Sequence, residues 1–503
     1  MKSDNRLRVM MLLATAGVGI GWAQSPGTFS ATGAMTTPRQ RHTATLLPSG
    51  IVLIVGGYQL TRPDLSAPHL PAGTGSAELY HPDTGTFTAT GNMTAVRYAH
   101  TATLLPDGRV LIAGGTPFED FSGSRRSAPS AELYDPLSGT FAPTRSMAAA
   151  RAWHTATLLA NGKVLIAGGR DGGTHYLPEC MCTTGDTPTA ELYDPVTGTF
   201  SPTGDMTAPL AGPIATLLSS GKVWITTGED GPNFSAQLYD PETGTFSDTG
   251  WRDVGSLIAA TVNLLINGQL LITLNVSECD FNSRSAGLYD FSTRTFRDAG
   301  EMAYAICRPT GVMLSDGFVL ITGGSFIRGG PAQIYDPIVS KFSLTGEMMR
   351  GRVQHTATLL RNGSVLIAGG CTGDCETTAD AELYAPPSRK PAPALLTIPN
   401  DRPEQGAILH TGTSQVVSPS NPTRAGEVLE IYCTGLLDGS VIPPQIAIGG
   451  RMSEVLFFGK TPGYAGLNQV NVRVPSGVAP GSAVPVRLNY IGRPSNEVTI
   501  GVR

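Results

Sequence analysis

One phrase recurs through this chain and restricts its fold more than any other feature. It reads HTATLLPDGRVLIAGG from His100, HTATLLANGKVLIAGG from His154 and HTATLLRNGSVLIAGG from His355. Each copy is followed by Ala-Glu-Leu-Tyr or a near match, and most then by Gly-Thr-Phe. The turn glycine of the phrase appears seven times, at Gly50, Gly108, Gly162, Gly221, Gly268, Gly317 and Gly363, at spacings of 46 to 59 residues. A chain of 503 residues outgrows a single hydrophobic core, and regular self-similarity at this period predicts an array of equivalent units.

Each copy parses into four short strands. His-Thr-Ala-Thr-Leu-Leu is rich in β-formers. Asp-Gly, Asn-Gly or Ser-Gly then predicts a two-residue hairpin. Val-Leu-Ile-Ala is an apolar run suited to burial on both faces, and Gly-Gly ends it where a side chain would obstruct a neighbouring backbone. Ala-x-Leu/Ile-Tyr is the third strand, ending at Tyr80, Tyr134, Tyr193, Tyr239, Tyr289, Tyr335 and Tyr384. Gly-Thr-Phe opens the fourth, after an Asp-Pro-x-Thr-Gly turn.

This order of diglycine, tyrosine and aromatic resembles the kelch repeat, with Phe in place of the more usual Trp. The resemblance covers roughly residues 27 to 385 and implies an all-β fold with a seven-bladed kelch-type β-propeller over 24–385. Gly27-Thr28-Phe29 is a fourth strand with no third strand before it, and Ala-Glu-Leu-Tyr384 is a third strand with no fourth after it. The two halves complement each other, so the N-terminal strand is expected to close the last blade.

Flanking segments complete the domain reading. Lys2, Arg6 and Arg8 ahead of the apolar run Val9 to Ile20, with Gly21-Trp22-Ala23, predict a signal peptide over 1–23 and a secreted product: extracellular, cell-surface or periplasmic. A Pro-rich linker is expected over 386–404. Residues 405–503 show short alternating strands and resemble the Ig/TIG-like sandwiches of secreted bacterial proteins. No segment is long and apolar enough for a transmembrane helix, and a net charge of −5 offers no footprint for nucleic acid.

Candidate functional residues fall into three groups. Arg-x-x-His precedes four first strands (Arg39/His42, Arg97/His100, Arg151/His154, Arg352/His355), and the same four copies carry Glu78, Glu132, Glu191 and Glu382. The other three copies lose all three groups together, reading Leu210/Pro213/Gln237, Leu257/Ala260/Gly287 and Ile306/Pro309/Gln333. Joint loss is the behaviour of a buried polar network within each blade, in which a stranded member costs about 1–3 kcal/mol. The alternative is a ring of arginines at one channel mouth, holding an anion.

The loops between second and third strands give the second group. They are long in copies one to three (58–76, 116–130, 170–189) and share a face with the constant fourth-to-first connections. Within them Arg62, His69, Phe118, Phe121, Arg125, Arg126, His175 and Tyr176 mix aromatic and cationic groups suited to a sugar or acidic polymer. Cysteines form the third group. In an exported protein Cys371 with Cys375, and Cys279 with Cys307, are disulfide candidates. Cys180 and Cys182 with His175 offer too few ligands for a metal, and Cys433 reads as a buried thiol.

Kelch propellers joined to a β-sandwich also resemble galactose-oxidase-like copper enzymes. That resemblance implies two tyrosines and a histidine from the propeller, one tyrosine thioether-linked to cysteine, and a second histidine from the sandwich. Here the last domain offers only His410, and the single Tyr80-His81 pair belongs to the repeat. No Gly-x-Ser-x-Gly, His-Glu-x-x-His or phosphate loop is present. The sequence therefore predicts a cofactor-free secreted scaffold that binds an extracellular glycan or protein. The opposed expectation is a carbohydrate-active enzyme, galactose-oxidase-like or hydrolytic, using the same face.

Overall fold

The computed structural model describes residues 27–61, 70–116, 127–170, 186–210, 212–228, 235–252, 257–276, 284–291, 293–306, 308–324, 330–337, 339–373, 376–387, 394–397, 405–413, 415–436, 443–461, 467–490, 493–495 and 497–503. The repeat folds as seven four-stranded antiparallel sheets, one per copy. Blade 3 is typical: Thr155–Leu158, Val164–Ala167, Ala190–Asp194 and Thr199–Pro202 pair in that order. First strands of successive blades lie side by side, those of blades 7 and 1 included, so they surround the axis. In six blades every residue of the second strand is buried. Fourth strands lie at the outer edge and are mostly exposed.

The first hairpin differs from the two-residue turn expected. Leu105 N–H donates to Arg109 C=O, and Gly108 N–H donates back to Leu105 C=O. The loop is therefore three residues, Pro106 to Gly108, and only the glycine has positive φ (89°). Such a loop is a type I turn closed by a left-handed residue, and it asks for glycine at one place only.

Blade 7 takes its fourth strand from the N-terminus, Thr28–Ala31, which pairs antiparallel with Ala381–Ala385. Phe29 and Tyr384 stack with ring centroids 4.9 Å apart, as Phe and Tyr do at 4.8 Å in five other blades. The seam from blade 7 to blade 1 carries the bonds found at other seams. Thr32 shares a hydrogen bond with Tyr80 at 2.9 Å, Gly33 N–H donates to Gly85 C=O, and His42 pairs with Thr356 at 3.0 Å. Gly370 N–H donates to Arg39 C=O.

The C-terminal unit is a β-sandwich of two sheets. One holds Ala394–Leu395, Val428–Thr434, Asn468–Arg473 and Glu454–Lys460, with Ile408–His410 paired to the second of these; the other is built on Gln445–Ile448, Gly481–Tyr490 and Val498–Val502. It begins earlier than expected. Ala394 and Leu395, inside the stretch read as linker, already pair with Thr434 and Cys433, because Leu395 is apolar and buries fully. Cys433 is buried, and burial pushes its thiol up to about 12.

Removing residues 24 to 35 strips Phe29 from Tyr384, exposes the edge of Ala381–Ala385 and deletes the Thr32 and Gly33 bonds to blade 1. We expect the truncated chain to lose its cooperative unfolding transition by calorimetry. A truncated chain that melts like the parent would refute this role for the N-terminal strand.

Candidate functional site

All first strands start at one mouth of the propeller, and the chain enters six of them through the same turn. The residue just ahead of the His or Pro position is left-handed: Arg41 (φ 53°), Ala99 (54°), Trp153 (58°), Gly212 (49°), Arg308 (44°) and Gln354 (56°). Its predecessor bridges to the residue after the diglycine of its own blade, as in Gln40–Tyr58, Tyr98–Thr116, Ala152–Arg170 and Val353–Cys371. The left-handed residues also meet across seams. Arg41 N–H donates to Gln354 C=O at 3.3 Å, and Trp153 N–H to Ala99 C=O at 3.0 Å. They form the inner rim of the mouth. In blade 5 a longer first strand, Leu257–Leu264, runs through this place with an irregularity between Ala259 and Thr261.

A bulky left-handed residue costs on the order of 1 kcal/mol that glycine avoids, and only blade 4 takes the glycine. The other side chains make a mixed surface. The guanidinium of Arg41 (blade 1) lies over the Trp153 ring (blade 3), 4.1 Å from its centroid. The contact joins blades 1 and 3, with Ala99 at the equivalent position of blade 2 between them. Tyr98 stands edge-on to Trp153 at 6.3 Å and to Tyr58 at 5.1 Å. Burial raises the Tyr58 hydroxyl above its ordinary value, against the pull of the Arg41 and Arg308 guanidinium groups. Arg41, Tyr58, Trp153, Arg308 and Gln354 are half-buried, and Gln354 Oε1 accepts no hydrogen bond from the described residues. A surface of this kind sets aromatic side chains beside guanidinium and amide groups.

The loop residues read from sequence, Arg62, His69, Phe118, Phe121, Arg125, Arg126, His175 and Tyr176, lie outside the described residues. Their described stems do rise from this mouth: Tyr58–Thr61 pairs with Leu70–Gly73, and Thr116 and Arg170 pair with the rim turns. Of the disulfide candidates only Cys371 is described, and it is buried; Cys279, Cys307 and Cys375, like Cys180 and Cys182, lie outside.

The arginines of the Arg-x-x-His copies do not reach the mouth. Arg39, Arg97, Arg151 and Arg352 are at most 1% exposed. They pair with Glu78, Glu132, Glu191 and Glu382 at 2.5 to 2.9 Å. Each also donates to two backbone carbonyls, Gly168 and Thr189 in blade 3. The glutamate's other task is to clamp the entry loop: Glu191 accepts the N–H groups of Ala148 and Ala149, and Glu78 those of Thr36 and Thr37.

Blades 4 and 6 make the same clamp without charge. Gln237 accepts from Thr207 N–H and donates to Ala208 C=O, and Gln333 does both with Tyr304. With no carboxylate to neutralise, no arginine is needed, and Leu210 and Ile306 fill the place. In blade 5 the Phe296 ring occupies the space, 1.8 Å from where a side chain on Gly287 would begin.

The histidine is not a member of that pair, contrary to the sequence reading. His100 and His154 reach across the seam to Thr43 and Thr101 at 3.0 Å, and His355 to Thr322. The rings of His42, His100 and His154 pack on the preceding blade's diglycine; a Cβ on Gly56, with φ already at 64°, would sit 2.7 Å from His100 Cε1. Pro213 takes this place against Gly168. The buried methionines Met35, Met93, Met147, Met206, Met302 and Met348 line the same seams, a repeat element that the sequence reading missed.

Two predictions follow from the clamp and the seams. Arg151→Leu strands the Glu191 carboxylate and is expected to cost about 3–5 kcal/mol by denaturant titration. Adding Glu191→Gln should restore at least half, since it rebuilds the arrangement of blade 4; a double variant no more stable than the single one refutes the charge argument. Burial also holds the imidazoles of His100, His154 and His355 down at about 3, and that of His42 well below the usual range. The unfolded chain binds these protons first, near pH 6.5. Stability is therefore full above that pH and falls toward pH 3, by on the order of 1.4 kcal/mol per pH unit per histidine. His154→Gln should reduce the pH slope by about one proton, measured by denaturation between pH 7 and 4.5.

No family model matches this chain, and no curated protein matches it in sequence. Among solved structures it is similar to a fungal alcohol oxidase of the AA5 family with catalytic diversity, determined in complex with copper. The TM-score is 0.55 at 17% identity, covering 96% of this chain and all of the other. At that identity the likeness is one of fold: a kelch-type propeller followed by a β-sandwich.

Proposed function

We propose that this is a secreted binding protein that holds an extracellular glycan at the propeller mouth formed by Arg41, Tyr58, Tyr98, Trp153, Arg308 and Gln354. The observation that carries the reading is the strained rim. Trp153 keeps a left-handed backbone where glycine would relieve the strain, and it presents its ring beneath Arg41. Strain of this kind persists where a side chain is needed for something other than the fold. Aromatic faces bury the apolar face of a sugar ring, while guanidinium and amide groups serve its oxygens. The described stems of the long loops of blades 1 to 3 lie at the same mouth.

A second reading, a carbohydrate-active enzyme at the same mouth, is favoured by the likeness to the copper-containing alcohol oxidase. The described residues do not fit its metal. His42, His100, His154 and His355 are buried in seams with Nε2 bonded to threonine hydroxyls. His81 bonds Thr88, and His410 is engaged by Glu427 and by the Asn421 carbonyl. Among the described residues no three His, Cys, Asp or Glu side chains converge.

Trp153→Gly separates a binding role from a packing role. Relief of strain is expected to leave the protein as stable as the parent or more stable, by up to about 1 kcal/mol, while binding to an oligosaccharide array is lost. A variant that unfolds earlier and still binds would assign Trp153 to the fold. Copper analysis and turnover assays on any bound glycan test the enzymatic reading.

A further inference from the structure

The rim positions are equivalent by the repeat, so their order around the ring can be compared directly. Blades 6, 7 and 1 present Arg308, Gln354 and Arg41 in succession. Blades 2 to 4 present Ala99, Trp153 and Gly212, and the blade 5 strand passes the same place at Ala259. One arc of the mouth is thus cationic and amide-bearing, and the other is small or aromatic. The two arcs meet where Arg41 lies over Trp153.

From this division, and resting on the reading of the mouth as a glycan site, we infer that the ligand is a carboxylated glycan. A uronic acid residue packs beside the Arg41–Trp153 pair and sets its carboxylate on the arc of Arg308, Gln354 and Arg41. A uronic acid pairs apolar C–H groups with a carboxylate at the ring edge, and an aromatic side chain capped by a guanidinium group sets an apolar contact beside donors. Guanidinium is the side chain suited to planar, two-point recognition of a carboxylate. Arg41 and Arg308 both act on the Tyr58 hydroxyl, against the burial that raises it.

The test compares an oligomer of galacturonic acid with its neutral galactose counterpart by calorimetry, on the full chain and on Arg308→Gln, Arg41→Gln and Trp153→Gly. The expected result is preference for the acidic oligomer, weakening with added salt. Arg308→Gln and Arg41→Gln should each reduce acidic binding by about tenfold or more, and by a larger factor than any neutral binding. Trp153→Gly should abolish both. Equal binding of the two oligomers, or acidic binding indifferent to both arginine substitutions, overturns the carboxylate assignment and leaves the mouth as a glycan site. Binding of neither oligomer, or binding untouched by Trp153→Gly, overturns both readings.

Discussion

At each of the seams among blades 7, 1, 2 and 3, the backbone of one blade's diglycine presses against the entry loop of the next. The second glycine donates to the arginine carbonyl of the following blade, as Gly57 does to Arg97, Gly115 to Arg151 and Gly370 to Arg39. The first glycine leaves room for an imidazole ring. A side chain at either place would overlap backbone atoms, so these seams depend on the missing Cβ. The rest follows from that approach. It brings the entry loops into a rim, fixes the left-handed turn before the first strand, and buries the loop's N–H groups, which then need acceptors.

The glutamate or glutamine of the third strand supplies those acceptors, and its charge decides what else the blade must contain. A buried carboxylate needs a counter-charge, so Glu brings Arg; an amide needs none, so Gln is accompanied by Leu or Ile. Two solutions to one requirement therefore alternate within a single chain. Groups that look catalytic in a list of residues are consumed in holding loops. The side chains that vary from copy to copy stand at the rim, on the left-handed residue of each entry turn.

That division explains how much was legible beforehand. Copy number, strand order, the complementary terminal strands and the joint behaviour of Arg and Glu could all be read, because each is imposed on every copy and shows as repetition. The histidine was grouped with the arginine and glutamate because all three vanish together, yet its bond runs to a neighbouring blade, and strand spacing carries no information about the neighbour. Arg41, Trp153, Arg308 and Gln354 escaped notice for the opposite reason. They occupy a position that varies between copies, inside a motif whose constant members drew attention. Its variability within a fixed frame was the available signal.

The sequence by itself determined the number of sheets, the pairing within each and the residues that fill their interiors, because these rest on short-range periodicity and on glycine's lack of a side chain. Only the tertiary structure decided which side chains face one another across the axis. Arg41 and Trp153 are more than a hundred positions apart and belong to different blades. Their contact depends on the curvature of the ring, which is not written in the spacing of either residue.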